Sequence, residues 1–430
     1  MNRNHPASVV TLTLVLALAL VACGRTEESP GGGAGSPSAG GSAPPEESMG
    51  PATGQIDVWA MGTEGDNLDV LAEDFMDANP DVTVEVTAVP WDAAHDRIAT
   101  AIAGGEVPDA SLIGTTWMGE FASAGGLDPT PSSIDPSSFF QGAWDTTVVD
   151  GTSYGVPWYV ETRLVYYRTD QAEAGGVSQA PGNWDDLRAL AEAEESGGAE
   201  WGLALQPGGI GSWQTFMPFF WQAGGEILDD SGAFTLDSDA CREALAYYDS
   251  YFEDGLAATA ASDTPLEAQF ASGEVGGFIS GPWMINIVND AGADPETWTV
   301  AHQPTEQTGT SFVGGGNFAV FNDSDNKAAA WAFVEYLSQP DVQAKWYDTV
   351  SDLPAVQAAW EDPALADDPL LSAFGDQLTD AKAPPAIATW EQVAAEAIDP
   401  IIEQVTVGDM SPEDGCATMQ SSAESIGTGM

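Results

Sequence analysis

The chain has 430 residues, of which 43% are apolar, and carries 67 acidic against 10 basic side chains, a formal net charge of −57. That balance argues against nucleic acid as a partner, because neutralising phosphate needs a basic patch. The acidic residues are scattered and read as a solvated surface whose self-repulsion salt would screen. Three His residues, none clustered, offer no zinc site, and neither a metal nor a cofactor is expected.

The first element is an apolar stretch from Val9 to Ala22, preceded by a short start with one cation, Arg3. As a helix it would rise about 21 Å, less than a bilayer core of about 30 Å. It reads as a secretory signal and not as a membrane span. It ends in Leu20-Val21-Ala22-Cys23, the bacterial lipoprotein-processing pattern. Residues 1–22 are therefore expected to be a signal peptide, with Cys23 lipidated as the new first residue. Residues 23–54 contain GGGAGSPSAGGSAPPEESMG, with almost no large apolar side chain. Such a segment cannot offset the entropy of ordering its backbone and reads as a tether. The expected location is the extracytoplasmic face of the bacterial membrane.

Folded sequence begins near Gln55. It is too long for one typical core and suits two lobes. Gln55–Ala60 reads as a strand, Met61–Asp66 as a polar turn and Asn67–Ala78 as an amphipathic helix closed by Asn79-Pro80. Val82–Thr87 is a second strand, Trp91–Ile102 a helix stopped by Gly104-Gly105, and Asp109–Ile113 a third strand. Strand and helix in alternation predict an open α/β sheet. The same grammar recurs in helices at Trp184–Glu195, Asp239–Phe252, Pro265–Ala271 and Asn326–Leu337, with a strand at Val275–Ile279. Cys241 and Cys416 remain outside the reducing cytosol, either as a disulfide or as two separate buried thiols.

Several ordered blocks carry a family resemblance. They are Ala103-Gly104-Gly105-Glu106-Val107-Pro108-Asp109, Tyr154-Gly155-Val156-Pro157-Trp158-Tyr159, Phe278-Ile279-Ser280-Gly281-Pro282-Trp283, and AWAFVEYLSQP from Ala330 to Pro340. In this order and spacing the chain resembles the family 1 extracellular solute-binding proteins, the group that includes maltose-binding protein. The resemblance implies an α/β fold of two lobes, closing on a hinge around an interlobe ligand cleft. It places lobe one at 55–161 and 315–360, and lobe two at 162–314 and 361–430, so that Cys241 and Cys416 share a lobe. It implies a binding protein, not an enzyme, monomeric, that delivers its ligand to the membrane permease of an ATP-driven importer.

A sugar presents C–H faces to aromatic rings and hydroxyls to polar groups, so its site combines Trp or Tyr with carboxylates and amides. The chain has 15 Trp, and position must separate platforms from core filler. Trp283 follows the Gly281-Pro282 turn and is similar to the family's sugar-stacking aromatic. Trp390 resembles a stacking position of the C-terminal cleft wall. Trp213, in the Gly-rich loop Gly208–Gln214, is similar to a ligand position of the second lobe. Thr116 and Trp117 follow the third strand, at the strand end where ligands gather; maltose-binding relatives carry Asp and Arg in this loop, so Trp117 is expected to stack instead. Glu64 after the first strand and Glu161 at the first lobe crossing are expected to accept hydroxyl bonds. Tyr159 is a further cleft aromatic. Gly314-Gly315-Gly316-Asn317 falls at the return crossing, with Asn317 as hinge or ligand contact. The ligand expected is a neutral di- or oligosaccharide, with a mild preference for an α-glucoside. The alternatives are a non-sugar solute in the same fold, or a glycan-acting enzyme, which would need two carboxyls about 5–10 Å apart across one bond.

Overall fold

The computed structural model describes residues 52–260 and 262–429. The expected signal peptide, the Cys23 lipidation site and nearly all of the 23–54 tether lie outside them. The described chain is a two-lobed α/β protein built on one seven-stranded and one four-stranded sheet.

The larger sheet begins as the sequence pattern requires. Gly54–Met61 buries Ile56, Val58 and Ala60 on alternate positions and pairs in parallel with Val82–Val89. The helix Asp69–Ala78 makes the crossover, turning Leu71, Ala72 and Phe75 inward. Trp91–Gly104 makes the next one, ending at the left-handed Gly105, and leads to Ala110–Gly114, parallel to the first strand. Met61–Asp66, expected as a polar turn, is instead largely helix, Gly62–Asn67. Its composition favours a turn, but Glu64 O accepts the Leu68 N–H at 2.9 Å. The amphipathic helix just beyond shares the cost of nucleating that extra turn.

Later chain closes the sheet from the other side. Ser311–Val320 lies antiparallel between Ala110–Gly114 and Val156–Thr162, and Leu353–Pro354 covers the outer edge of Val156–Thr162. Ala381–Lys382 pairs with Ser311–Phe312.

The smaller sheet runs in the order Trp298–Ala301, Leu164–Arg168, Val275–Ser280, Trp201–Ala204. Strand alternation gives it two apolar faces. Val165 and Tyr167 point into a core with Leu187, Phe216, Phe219 and Leu245. Leu164 and Tyr166 point the other way, where Tyr166 stacks on Phe278 at 4.6 Å and joins the core of the larger sheet. In the second core, helices Asp239–Glu253 and Pro412–Ile426 are joined by a Cys241–Cys416 disulfide with Cα atoms 6.1 Å apart. No helix among the described residues is long and apolar enough to cross a membrane.

Candidate ligand-binding site

The two sheets meet where the chain passes from one to the other. Thr162 ends a strand of the larger sheet and Leu164 begins one of the smaller, with Arg163 between them. The returning chain clasps this point. Thr162 Oγ1 donates to Phe312 O at 2.7 Å, Ser311 Oγ donates to Arg163 O at 2.9 Å, and Gln303 Nε2 donates to the same carbonyl at 3.2 Å. Ala381–Lys382 lies against the same returning strand. Three chain segments run side by side here, the arrangement from which an interlobe hinge is made.

Gly314–Gly316 does not form the return crossing itself. It lies within the strand Ser311–Val320, facing Val156–Thr162. Gly315 has φ +127°, and a Cβ there would stand 2.2 Å from Tyr159 O. Cβ atoms on Gly314 and Gly316 would meet the Glu161 carboxylate at 2.8 Å and the Tyr159 ring at 2.7 Å. The glycine run is thus the bed on which Tyr159 and Glu161 lie.

Beside this bed is a cavity of about 460 Å³. Glu64, Tyr159, Glu161, Tyr347 and Asp352 line it from the larger sheet and its helices; Trp283, Asn286, Asp368 and Leu371 line it from the opposite side. Glu64 stands at the C-terminal end of the first strand and is 8% exposed. Burial pushes its carboxyl up, and hydrogen bonding from its own backbone, the Trp91 indole and the Tyr159 hydroxyl opposes this. Burial, followed by the charges of Glu64, Asp352 and Glu161, raises the Tyr159 hydroxyl well above its ordinary range. Asp352 is pushed up to about 8, first by burial and then by the Glu64 charge, against a bond from Trp346. Glu161 has a cation partner: Arg163 Nη2 donates to Glu161 Oε1 at 3.3 Å and to Gln214 Oε1 at 3.0 Å.

The same guanidinium lies 4.6 Å from the centroid of the Trp283 ring. Trp283 is 39% exposed, the most solvent-open Trp of this wall. Its ring folds back over Gly281, where a Cβ would come within 2.1 Å of it. Arg163 therefore braces an acceptor on one wall and an aromatic face on the other. An open aromatic ring, four carboxyl groups, among them the half-buried Asp352, and two phenols around one cavity can stack a C–H face and bond several hydroxyls.

Of the expected site residues, Glu64, Tyr159, Glu161 and Trp283 line this cavity together. Thr116 and Trp117 form a half-buried turn outside its lining. Trp117 packs on Trp91 at 5.6 Å and His95 at 5.3 Å, and Trp91 in turn bonds the lining residue Glu64, so Trp117 stands behind the cavity wall. Three expectations are corrected. Trp213 is not on an open loop; it begins the helix Ser212–Gln222, whose N-terminus is held by buried Asp399, accepting from Gly211 N at 2.7 Å and Trp213 N at 2.8 Å. Trp390 is 1% exposed and meets Trp213 edge-on at 5.1 Å within the second core. Asn317 is 1% exposed and donates to Thr146 Oγ1 at 2.9 Å, so its amide is spent on the scaffold. Sequence reasoning missed Asp352 and Tyr347 of the lining, and Trp91, which bonds Glu64 from behind it. Asp352 is one acidic residue among many, and nothing local marks it.

The family of bacterial extracellular solute-binding proteins matches the chain over residues 61–344. A binding protein of Brucella abortus (strain 2308) is 30% identical over 77% of this chain and 82% of its own length. Among solved structures, the sugar-binding protein MalE of Xanthomonas citri superposes with a TM-score of 0.81 at 32% identity, covering 87% of this chain and 97% of that one. The GacH receptor of Streptomyces glaucescens follows the same fold, with a TM-score of 0.73 at 28% identity, covering 87% and 98%. The chain belongs to the bacterial extracellular solute-binding proteins, and its fold is the two-domain α/β periplasmic-binding-protein fold of the maltose-binding type.

Proposed function

We propose that this chain is the carbohydrate-capturing component of an ATP-driven importer: it closes its lobes on a neutral di- or oligosaccharide and delivers it to a membrane permease. One observation carries the reading. An exposed Trp283 ring, braced by Arg163, faces Glu64, Tyr159 and Glu161 across a cavity beside the interlobe crossing. Its volume of about 460 Å³ falls in the range of small-molecule sites, roughly 300–1,000 Å³. The proposed lobes are those read from the sequence, 55–161 with 315–360 and 162–314 with 361–430, except that the return boundary moves to the start of the strand Ser311–Val320, which belongs whole to the larger sheet. The protein works as a monomer on the extracytoplasmic face, anchored by lipid on Cys23 through the 23–54 tether.

Relatives support a saccharide and spread over several kinds. A maltotriose-binding protein of Pyrococcus abyssi is 27% identical over 83% of this chain. The diacetylchitobiose-binding protein DasA of Streptomyces coelicolor is 25% identical over 65%. The GacH receptor was solved with acarbose. The mild preference for an α-glucoside rests on the resemblance to the maltose-binding group alone.

Isothermal titration of the refolded, sugar-stripped protein against mono-, di- and trisaccharides tests the proposal. Saturable one-to-one binding of a neutral oligosaccharide supports it. Silence across the panel from folded protein moves the ligand to a non-sugar solute. Cleavage of any sugar in the recovered mixture would replace binding with a glycan-acting enzyme.

A further inference from the structure

One of the other carboxyls that face the cavity, Asp352, has a construction of its own. The helix Pro340–Val350 ends at Ser351, a non-glycine residue in the left-handed region at φ +67°. Backbone of that kind is sparsely populated and persists where surrounding structure enforces it. Asp352 follows, and Leu353–Pro354 then pairs with Val160 and Tyr159. The turn is held on both sides and aims Asp352 at the space shared by Glu64 and Glu161. Trp346 donates its indole N–H to Asp352 Oδ2 at 3.0 Å, while its ring is buried against Trp158 at 4.5 Å. That bond ties one carboxyl oxygen to the scaffold and leaves Oδ1 for the cavity.

Resting on the saccharide reading above, we propose that Asp352 is a ligand-contacting residue that presents a hydrogen-bond donor, whereas Glu64 and Glu161 present acceptors. The groups around it leave no other cheap arrangement. Glu64 faces it from the helix Gly62–Asn67, Tyr159 and Glu161 from the strand Val156–Thr162, Tyr347 from its own helix and Asp368 from the start of Pro369–Gln377. The cation on this wall, Arg163, is already engaged by Glu161 and Gln214. Like charges sharing a desolvated site force one carboxyl to keep its proton. Burial first, then the Glu64 charge, put that proton on Asp352, whose titration is raised to about 8. An ionised carboxylate only accepts hydrogen bonds and so reads only donor hydrogens, on hydroxyls or an acetamido N–H. A protonated Asp352 adds the opposite capacity. It reads an oxygen that carries no hydrogen: a ring or glycosidic oxygen, or an acetamido carbonyl.

The test is titration calorimetry of maltotriose, with diacetylchitobiose in parallel, into the full chain from pH 6 to 9.5, for wild type, Asp352→Asn and Asp352→Ala. Neutral saccharides do not titrate in this range. Wild-type affinity is expected to hold to about pH 8 and then fall by up to about tenfold per pH unit. Asp352→Asn keeps a donor that cannot ionise, so its profile is flat and at pH 9.5 it binds up to about thirtyfold tighter than wild type. Asp352→Ala loses about tenfold at pH 7, with a melting curve confirming its fold. Affinity that rises with pH, together with a weakened Asp352→Asn, would make Asp352 an acceptor and overturn the proposal. Two variants that track wild type throughout would remove Asp352 from the contact set. If neither sugar binds wild type, the saccharide reading fails, and ligand-free melting still judges Asp352. A proton held by the folded state and released on unfolding makes wild-type stability fall between about pH 4 and pH 8, an extra decline absent from Asp352→Asn. Parallel ligand-free profiles would overturn the donor assignment.

Discussion

Replacing Trp283 with Ala separates ligand capture from folding. The residue is 39% exposed, so the fold relies little on its outer face. A Trp in an extended chain exposes about 250 Å², so about 100 Å² remains for a ligand to cover. At about 25 cal/mol per Å², full coverage is worth about 2.5 kcal/mol, and partial coverage about 1.5. Affinity should therefore fall between about tenfold and about seventyfold. Folded stability should fall by no more than about 4 kcal/mol, the worth of the roughly 150 Å² of ring already covered in the free protein, the Arg163 contact included. Calorimetry with the saccharide that saturates wild type gives the first number, and a melting curve the second. An affinity within twofold of wild type, in protein whose melting curve shows it folded at the assay temperature, would refute the stacking role.

The Cys241–Cys416 bridge closes a separation of 175 residues between two helices of one core. Replacing both by Ser should cost about 2–5 kcal/mol and lower the melting temperature by about 3–6 °C, read by calorimetry with and without reductant. Gly315→Ala sets a Cβ 2.2 Å from Tyr159 O at a φ of +127°. It should cost at least about 2 kcal/mol in denaturant unfolding and weaken ligand binding, because Tyr159 and Glu161 rest on this strand. Cys23→Ser should shift the protein from the membrane fraction to the soluble fraction; stable anchoring after the change would remove the lipid assignment.

The opening strand, its crossover helices and the helices Asp239–Glu253 and Lys327–Leu337 were readable because their apolar periods are local properties of the chain. Four of the cavity residues were readable for a related reason. Glu64 and Trp283 sit just beyond strands, where an α/β sheet leaves side chains free for a ligand, and Tyr159 and Glu161 lie on a strand at the crossing. Trp213, Trp390 and Asn317 are residue types just as apt for a ligand and were expected in similar places, yet they are buried in a helix start, a helix and a strand. Burial depends on what packs against a residue: Asp399 draws Trp213 into a helix start, and Thr146, far away in sequence, takes the Asn317 amide. Asp352 is the clearest case. By sequence it is one of 67 acidic residues, while its titration is raised by burial first and then by the charges of Glu64 and Glu161, against the bond from Trp346. Local pattern determines where a strand ends and which side chains can be offered there. Only the tertiary structure decides which of them are desolvated together, because desolvation and charge act through space and not along the chain.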